Sequence, residues 1–147
     1  MAEKIDNFDG EYRFLSNFYI LPRSIEVAGI PFATTEHLYQ ALKADNLQDF
    51  TEVSKTDGPY KAKKLGQKVS MRSDWNNVKI AVMEFCLRLK FQIPEMKDKL
   101  LATGDAELIE GNTWKDTWWG VDKNTGKGKN HLGKLLMKVR KELQEKS

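Results

Sequence analysis

Cysteine is nearly absent from this chain of 147 residues: Cys86 stands alone, so no intramolecular disulfide can form. It falls in a helical apolar pattern, where a small buried core residue is the expected role rather than a nucleophile. Histidine is as scarce, and two histidines with one cysteine scattered along the sequence do not make a zinc-type cluster, so no metal site is expected. No apolar run approaches the roughly 18 residues of a membrane-spanning helix. The start, Met-Ala-Glu-Lys-Ile-Asp, lacks the basic and apolar regions of a signal peptide. These absences lead to the expectation of a cytoplasmic protein without a membrane partner. Four prolines, and no Ser/Pro/Gly-rich linker or repeat, give the expectation of one domain over 1–147.

The composition present is that of a globular domain, 40% apolar and 31% charged. Net charge is only +3, yet it is unevenly placed: residues 1–52 carry nine acids against four bases, and residues 53–147 twelve acids against twenty bases. The later part can therefore face phosphates, although most of its lysines read as solvated helix faces. Two lysine clusters stand out, Lys61, Lys63, Lys64 and Lys68, then Lys123, Lys127, Lys129 and Lys134.

Local patterns predict a short β-rich start followed by helices. Glu11 to Phe14 and Ser24 to Phe32 read as strands, the second turning at Ala28-Gly29. Thr34 to Ala44 begins with threonine caps and continues with helix formers, and Glu36, Gln40 and Lys43 share one face of it. Gly58-Pro59 introduces a helix over Tyr60 to Val69. Asp74 is expected to cap a long helix with an apolar stripe of Trp75, Val78, Val82, Phe85 and Leu89. Pro94 starts a shorter helix that Gly104 ends, Glu107 to Glu110 reads as a strand, and Asn130 to about Gln144 as a last amphipathic helix. Strand and helix alternate too irregularly for a Rossmann sheet. The expected class is α+β, mostly helical with a small sheet.

The segment Asn112-Thr-Trp-Lys-Asp116-Thr-Trp-Trp119-Gly120 concentrates three tryptophans around one aspartate. A polar loop follows, with Gly126, Gly128, Asn130 and Gly133, and runs into the last helix. Indoles offer flat faces to a heterocycle, and glycines before a helix start offer N–H groups to phosphate, so a nucleotide-like ligand is suggested. The Gly126-x-Gly128 spacing lacks a preceding apolar strand and the ending of a P-loop, so it is no fingerprint by itself. Asp116 reads as a desolvated functional carboxylate or as an Asx turn. Glu36, in the first turn of its helix, reads as a charged functional group or as a plain dipole-compensating glutamate. Trp75 fits core packing, and His37 and His131 fit packing or capping.

Taken together, the blocks Phe14-Leu-Ser-Asn17-Phe18, Thr35-Glu36-His37-x-Tyr39-Gln40-x-x-Lys43, Ala62-x-x-Leu65-Gly66, Trp75-x-x-x-Lys79, Met83, Lys90-Phe91, Leu101-x-Thr103-Gly104, Glu110-Gly-Asn112, Asp116-x-x-Trp119-Gly120 and Asn130-x-Leu132-Gly133-x-x-Leu136-Met137 resemble the NADAR (NAD and ADP-ribose) superfamily of YbiA-like proteins. The resemblance runs from about residue 8 to about residue 140. It implies a compact α+β domain with N-glycosidase activity, which requires no cofactor. The implied substrates are ADP-ribose on guanine in nucleotides or DNA, or ribosylamino and phosphoribosylamino intermediates of riboflavin synthesis. A binding module for ADP-ribose or NAD is a third reading. Glu36 is implied as the principal catalytic carboxylate and Asp116 as a second acidic group. Asn17, Lys43, Trp75 and Trp119 would shape the ribose and base pocket, and Gly120, Asn130 and Gly133 would help hold phosphates. No obligate protein partner is implied. Lys115, where many relatives have histidine, and Trp118, in place of a smaller aromatic, depart from the pattern.

Overall fold

The computed structural model describes residues 3–146 of the chain. They divide into two compact units, residues 17–90 and a second unit formed by residues up to 16 together with those from 91 onward. The class is α+β with most of the mass helical. Strands occur only as three separate two-stranded ladders among the described residues. No helix among the described residues is long and apolar enough to cross a membrane.

The 17–90 unit begins with a hairpin. Strands β2 (Ile25–Val27) and β3 (Ile30–Phe32) pair antiparallel, with Ile25 opposite Phe32. Ala28 and Gly29 both have positive φ, 55° and 76°, as a two-residue turn of this hand requires. Helix α1 (Thr35–Leu42) follows, and the Thr34 hydroxyl accepts from His37 N at 3.1 Å as its cap. Helices α2 (Leu47–Ser54), α3 (Pro59–Gly66) and α4 (Trp75–Lys90) all pack on α1, which buries every residue from Thr35 to Ala41.

A wholly buried helix that carries Glu36, His37 and Gln40 must satisfy their polar atoms internally. His37 does so at both ring nitrogens: Nε2 lies 3.0 Å from the Thr56 carbonyl, which can only accept, so Nδ1 is the acceptor for the Thr34 hydroxyl at 2.7 Å. The histidine is therefore a strut joining α1 to the segment between α2 and α3.

In the other unit, β1 (Lys4–Ile5) pairs parallel with β4 (Glu107–Leu108), and β5 (Gly111–Asn112) pairs parallel with β6 (Val121–Asp122). Helix α5 (Pro94–Ala102) starts on proline at its first position, and Gly104, at φ 62°, ends it. Helix α6 (His131–Lys146) packs on α5 and β4 through Leu132, Leu135, Leu136 and Val139. Each of these side chains contributes about 1.5 to 3 kcal/mol on burial. Arg140 reaches across to the Thr103 hydroxyl at 2.9 Å, and Gln144 to the Gly104 carbonyl at 3.1 Å.

Four expectations from sequence are corrected. Glu11 to Phe14 is no strand but part of a 3-10 helix (Gly10–Leu15), because Phe14 and Leu15 are both buried and neighbours in a strand face opposite ways. The stripe on α4 is out of phase: Trp75, Met83, Cys86, Leu87 and Lys90 are the buried residues, while Phe85 is 44% exposed. Asp74 precedes α4 as expected, but both its carboxylate oxygens accept from the Arg72 guanidinium, at 2.6 and 3.0 Å. Helix α2 is an addition: the Asn46 side chain caps it by accepting from Asp49 N at 2.8 Å, but with Val53 as its one buried residue it carries little apolar period.

Candidate active site

Glu36 sits in the first turn of α1, 6% exposed, with its own N–H bonded to the Asn17 carbonyl at 3.0 Å. One helical turn later, Gln40 Nε2 donates to Glu36 Oε2 at 2.6 Å, fixing the orientation of the carboxylate. Gly66 on α3 makes room for this pair. A Cβ at residue 66 would overlap the Gln40 amide oxygen and come within 2.9 Å of Gln40 Cβ. Gln40 was legible only as a residue on the Glu36 face; its place four residues on from Glu36 was the available signal.

Other members of the expected set surround the same helix. Asn17 donates to the Met83 sulfur at 3.5 Å, a weak acceptor, and its Oδ1 is buried without a hydrogen-bond partner. Thr35 Oγ1 and Gln40 Oε1 are likewise buried without partners. Two of these three atoms are amide oxygens, which only accept, and the third is a hydroxyl, which can also donate. Trp75 is 5% exposed and leans on Tyr39, with ring centroids 5.2 Å apart and planes at 56°, so its packing role is real.

Lys43, half-buried at the end of α1, has its pKa lowered first by burial; the Glu36 charge opposes that, and Lys63 and Lys79 add to it. Two lysines absent from the expected site therefore share its field. Burial drives the Cys86 thiol pKa well up, and the Glu36 charge pushes the same way, which excludes an activated nucleophile there. Lys90 is fully buried, and burial brings its pKa down to about 7.

Asp116, Trp119, Gly120, Asn130 and Gly133 lie in the other unit, where a dense backbone network holds them. Asn112, 1% exposed, brackets a turn: its Nδ2 donates to the Asp116 carbonyl at 2.9 Å and its Oδ1 accepts from Asp116 N at 3.0 Å. Asp116 Oδ1 then accepts from Trp118 N at 3.1 Å and Trp119 N at 3.0 Å, an Asx turn. Trp118 tilts on His131, with centroids 4.3 Å apart, and Lys129 Nζ lies 5.6 Å from the centre of the Trp118 ring.

The side chain of Asn130, a residue at φ 53°, bonds to two successive segments, donating to the Leu108 carbonyl and accepting from Glu110 N, both at 3.0 Å. Gly133 approaches the Leu108 carbonyl and the Asn130 amide so closely that a Cβ would overlap both. Gly120 does the same against Glu110 and Asn112.

Four of the loop amides are also taken. Gly126 N bonds the Asp122 carbonyl at 2.7 Å, Lys129 N the Thr117 carbonyl at 2.8 Å, His131 N the Trp118 carbonyl at 3.2 Å and Leu132 N the Trp119 carbonyl at 3.0 Å. A donor already bonded to a carbonyl is not open to a ligand, so these four amides do not contribute to a phosphate site.

Comparison with known proteins agrees with this arrangement of blocks. Residues 5–144 match the NADAR domain. The chain belongs to the NADAR domain family. It is 40% identical over 149 residues to the N-glycosidase YbiA of Escherichia coli, covering 97% of this chain and 91% of that protein. It is 41% identical over 140 residues to a riboflavin biosynthesis protein of Vibrio vulnificus, covering 93% of this chain but only 37% of the length of that relative. The NMR structure of E. coli YbiA superposes with a TM-score of 0.85 at 36% identity, covering 99% of this chain and 88% of the other.

Proposed function

We propose that this NADAR protein is an N-glycosidase that hydrolyses the bond between the anomeric carbon of ribose and a base nitrogen, removing ADP-ribose from guanine in DNA or nucleotides. The observation that carries the reading is the Glu36 carboxylate, buried in the first turn of α1 and oriented by Gln40. Breaking an N-glycosidic bond builds positive charge on the sugar, and a buried, fixed carboxylate stabilises that charge far better than a solvated one. The same group takes a proton from the attacking water. Water adds across the bond: its hydroxyl goes to the anomeric carbon, and the one proton that Glu36 takes from it balances the proton that the departing nitrogen gains, which returns Glu36 to its carboxylate form.

Asn17 Oδ1 and the other open acceptors on and beside α1 receive ribose hydroxyls, and Lys43 faces a phosphate. Asp116, the second group that the family resemblance offers, or the adjacent Lys115 is proposed to relieve the leaving nitrogen of negative charge. The basic balance of residues 53–147 supports an ADP-ribosylated nucleic acid as substrate. In this reading the protein works in the cytoplasm.

A second reading has its own support. The Vibrio vulnificus relative is named for riboflavin biosynthesis, which favours a ribosylaminopyrimidine as substrate. Mass spectrometry of products separates the two. Purified protein and its Glu36→Gln variant are incubated with ADP-ribosyl-guanine DNA and with the ribosylaminopyrimidine. Free ADP-ribose from the first substrate, absent with the variant, is the expected result. Ribose or ribose phosphate from the second alone establishes the riboflavin reading, and binding of intact ligand without product makes the protein a reader of ADP-ribose. A folded and fully active Glu36→Gln protein removes Glu36 from the mechanism.

A further inference from the structure

Trp114 has no place in the site described above, and it is the most exposed of the four tryptophans. It is 66% exposed, whereas Trp75 is buried and Trp118 and Trp119 are half-buried. An exposed indole offers a flat apolar face on which a ring can stack. The turn that carries it is held firmly. Asn112 clamps Asp116 at both its N–H and its carbonyl, and Lys115 is fixed in the left-handed region at φ 66°. The indole is thus displayed on an ordered support, which lowers the entropy lost when something stacks on it.

Its surroundings are cationic. Residues 111–134 contain five lysines, all exposed, against two aspartates. Both aspartates are turned inward, Asp116 half-buried on the Trp118 and Trp119 amides and Asp122 buried on the Asn124 amide. Thr113, Lys115 and Thr117 flank the indole, all polar and exposed. That rim is too basic and too poor in apolar area for a stable protein interface, which needs about 800 Å² per partner with an apolar centre. A flat aromatic face among cations is instead the combination by which proteins hold single-stranded nucleic acid, because every base has a π face and every linkage a negative charge.

We propose that the turn carrying Trp114 is a contact for single-stranded nucleic acid, in which Trp114 stacks on an unmodified base and Lys123 and Lys127 take neighbouring phosphates. The proposal rests on the reading in which ADP-ribose is removed from a nucleic acid, and it makes a polymer, rather than a free nucleotide, the substrate that this surface serves.

The test is binding of a fluorescein-labelled single-stranded DNA oligonucleotide carrying no ADP-ribose, followed by anisotropy at two salt concentrations, with an RNA oligonucleotide of the same sequence alongside. Trp114→Ala is expected to weaken binding about tenfold with the salt dependence unchanged. Trp114→Phe should recover much of the loss, since it keeps an aromatic face. Lys123→Ala with Lys127→Ala should weaken binding and flatten the salt dependence. Preference for DNA or RNA names the strand. Turnover of a free ADP-ribosylated guanine nucleotide should be unchanged by Trp114→Ala.

Wild-type protein that binds neither oligonucleotide, or Trp114→Ala protein that binds like wild type, overturns the proposal and leaves the indole to a protein partner. An equal loss of free-nucleotide turnover in Trp114→Ala also overturns it, by placing Trp114 at the reacting substrate. The glycosidase reading fails separately, through absence of turnover by the wild-type protein, whatever the oligonucleotides do.

Discussion

Helix α1 and the 110–133 segment are both rich in polar side chains, but they use them in opposite ways. Along α1, polar groups are buried and meet one another: Gln40 holds Glu36, and Thr34 holds His37. Around them Asn17 Oδ1, Thr35 Oγ1 and Gln40 Oε1 remain open acceptors. In the 110–133 segment, Asn112, Asp116 and Asn130 bond to the main chain and so fix its path. A polar group answered by backbone makes shape, whereas one held beside unanswered acceptors is prepared for a ligand. Under the proposed function, the chemistry is assigned chiefly to α1, and the segment from 110 supplies a rigid form.

The sharpest challenge to that contrast is Gly66→Ala. The added methyl displaces Gln40 and releases Glu36, so kcat should fall about a hundredfold, the effect expected of a misplaced catalytic group, with KM little changed. On a Gln40→Gly background, which removes the Cβ as well and so vacates the space, the same substitution should add little. Additive losses would mean that Gly66 acts otherwise than through Gln40.

Asp116→Asn comes next. Asparagine retains an acceptor for the Trp118 and Trp119 amides, so melting should be unchanged, and sharing of the proton transfer with Lys115 should limit the fall in kcat to about tenfold. A loss as complete as that of Glu36→Gln would break the contrast, because the turn would then be chemical as well as structural. Gly133→Ala should lower stability by about 1 to 3 kcal/mol in denaturant titration, since the overlapped Leu108 carbonyl is main chain and cannot step aside. Unchanged stability would show that α6 shifts freely.

The last effect is a slope. Burial lowers the Lys90 pKa from 10.5 to about 7, so between about pH 7 and 10.5 the unfolded chain holds a proton that the folded chain has lost. Stability should therefore rise with pH across that window and lie flat in this respect below it. Urea midpoints measured from pH 7 to pH 9 should show the rise, and Lys90→Met should flatten it.

How much of this was legible beforehand depended on the range of the forces involved. The turn at Ala28-Gly29, the Thr34 cap and the Pro59 and Pro94 helix starts were all written in adjacent residues, and the structure has them. The α4 stripe was misphased because Val78, Val82 and Phe85 are apolar enough to suggest a face, while burial follows the neighbours that α4 packs on. Helix α2, with a single buried residue, left no period to read. Glu36 stands where the sequence puts it, in the first turn of its helix. The Gly66 methyl space, the double duty of Asn130 and the occupied loop amides were not legible, because each depends on a partner more than twenty residues away or on a main-chain carbonyl that no pattern marks.

The lone thiol described at the outset has a practical meaning. Cys86 is sealed from solvent on α4 and lies within the electric influence of Glu36. An alkylating reagent can reach it only when that helix comes away. Its labelling rate is thus a native clock for the opening of the catalytic region, one that needs no introduced probe. A bound ligand that braces α1 would slow the clock, reporting occupancy even when no product forms.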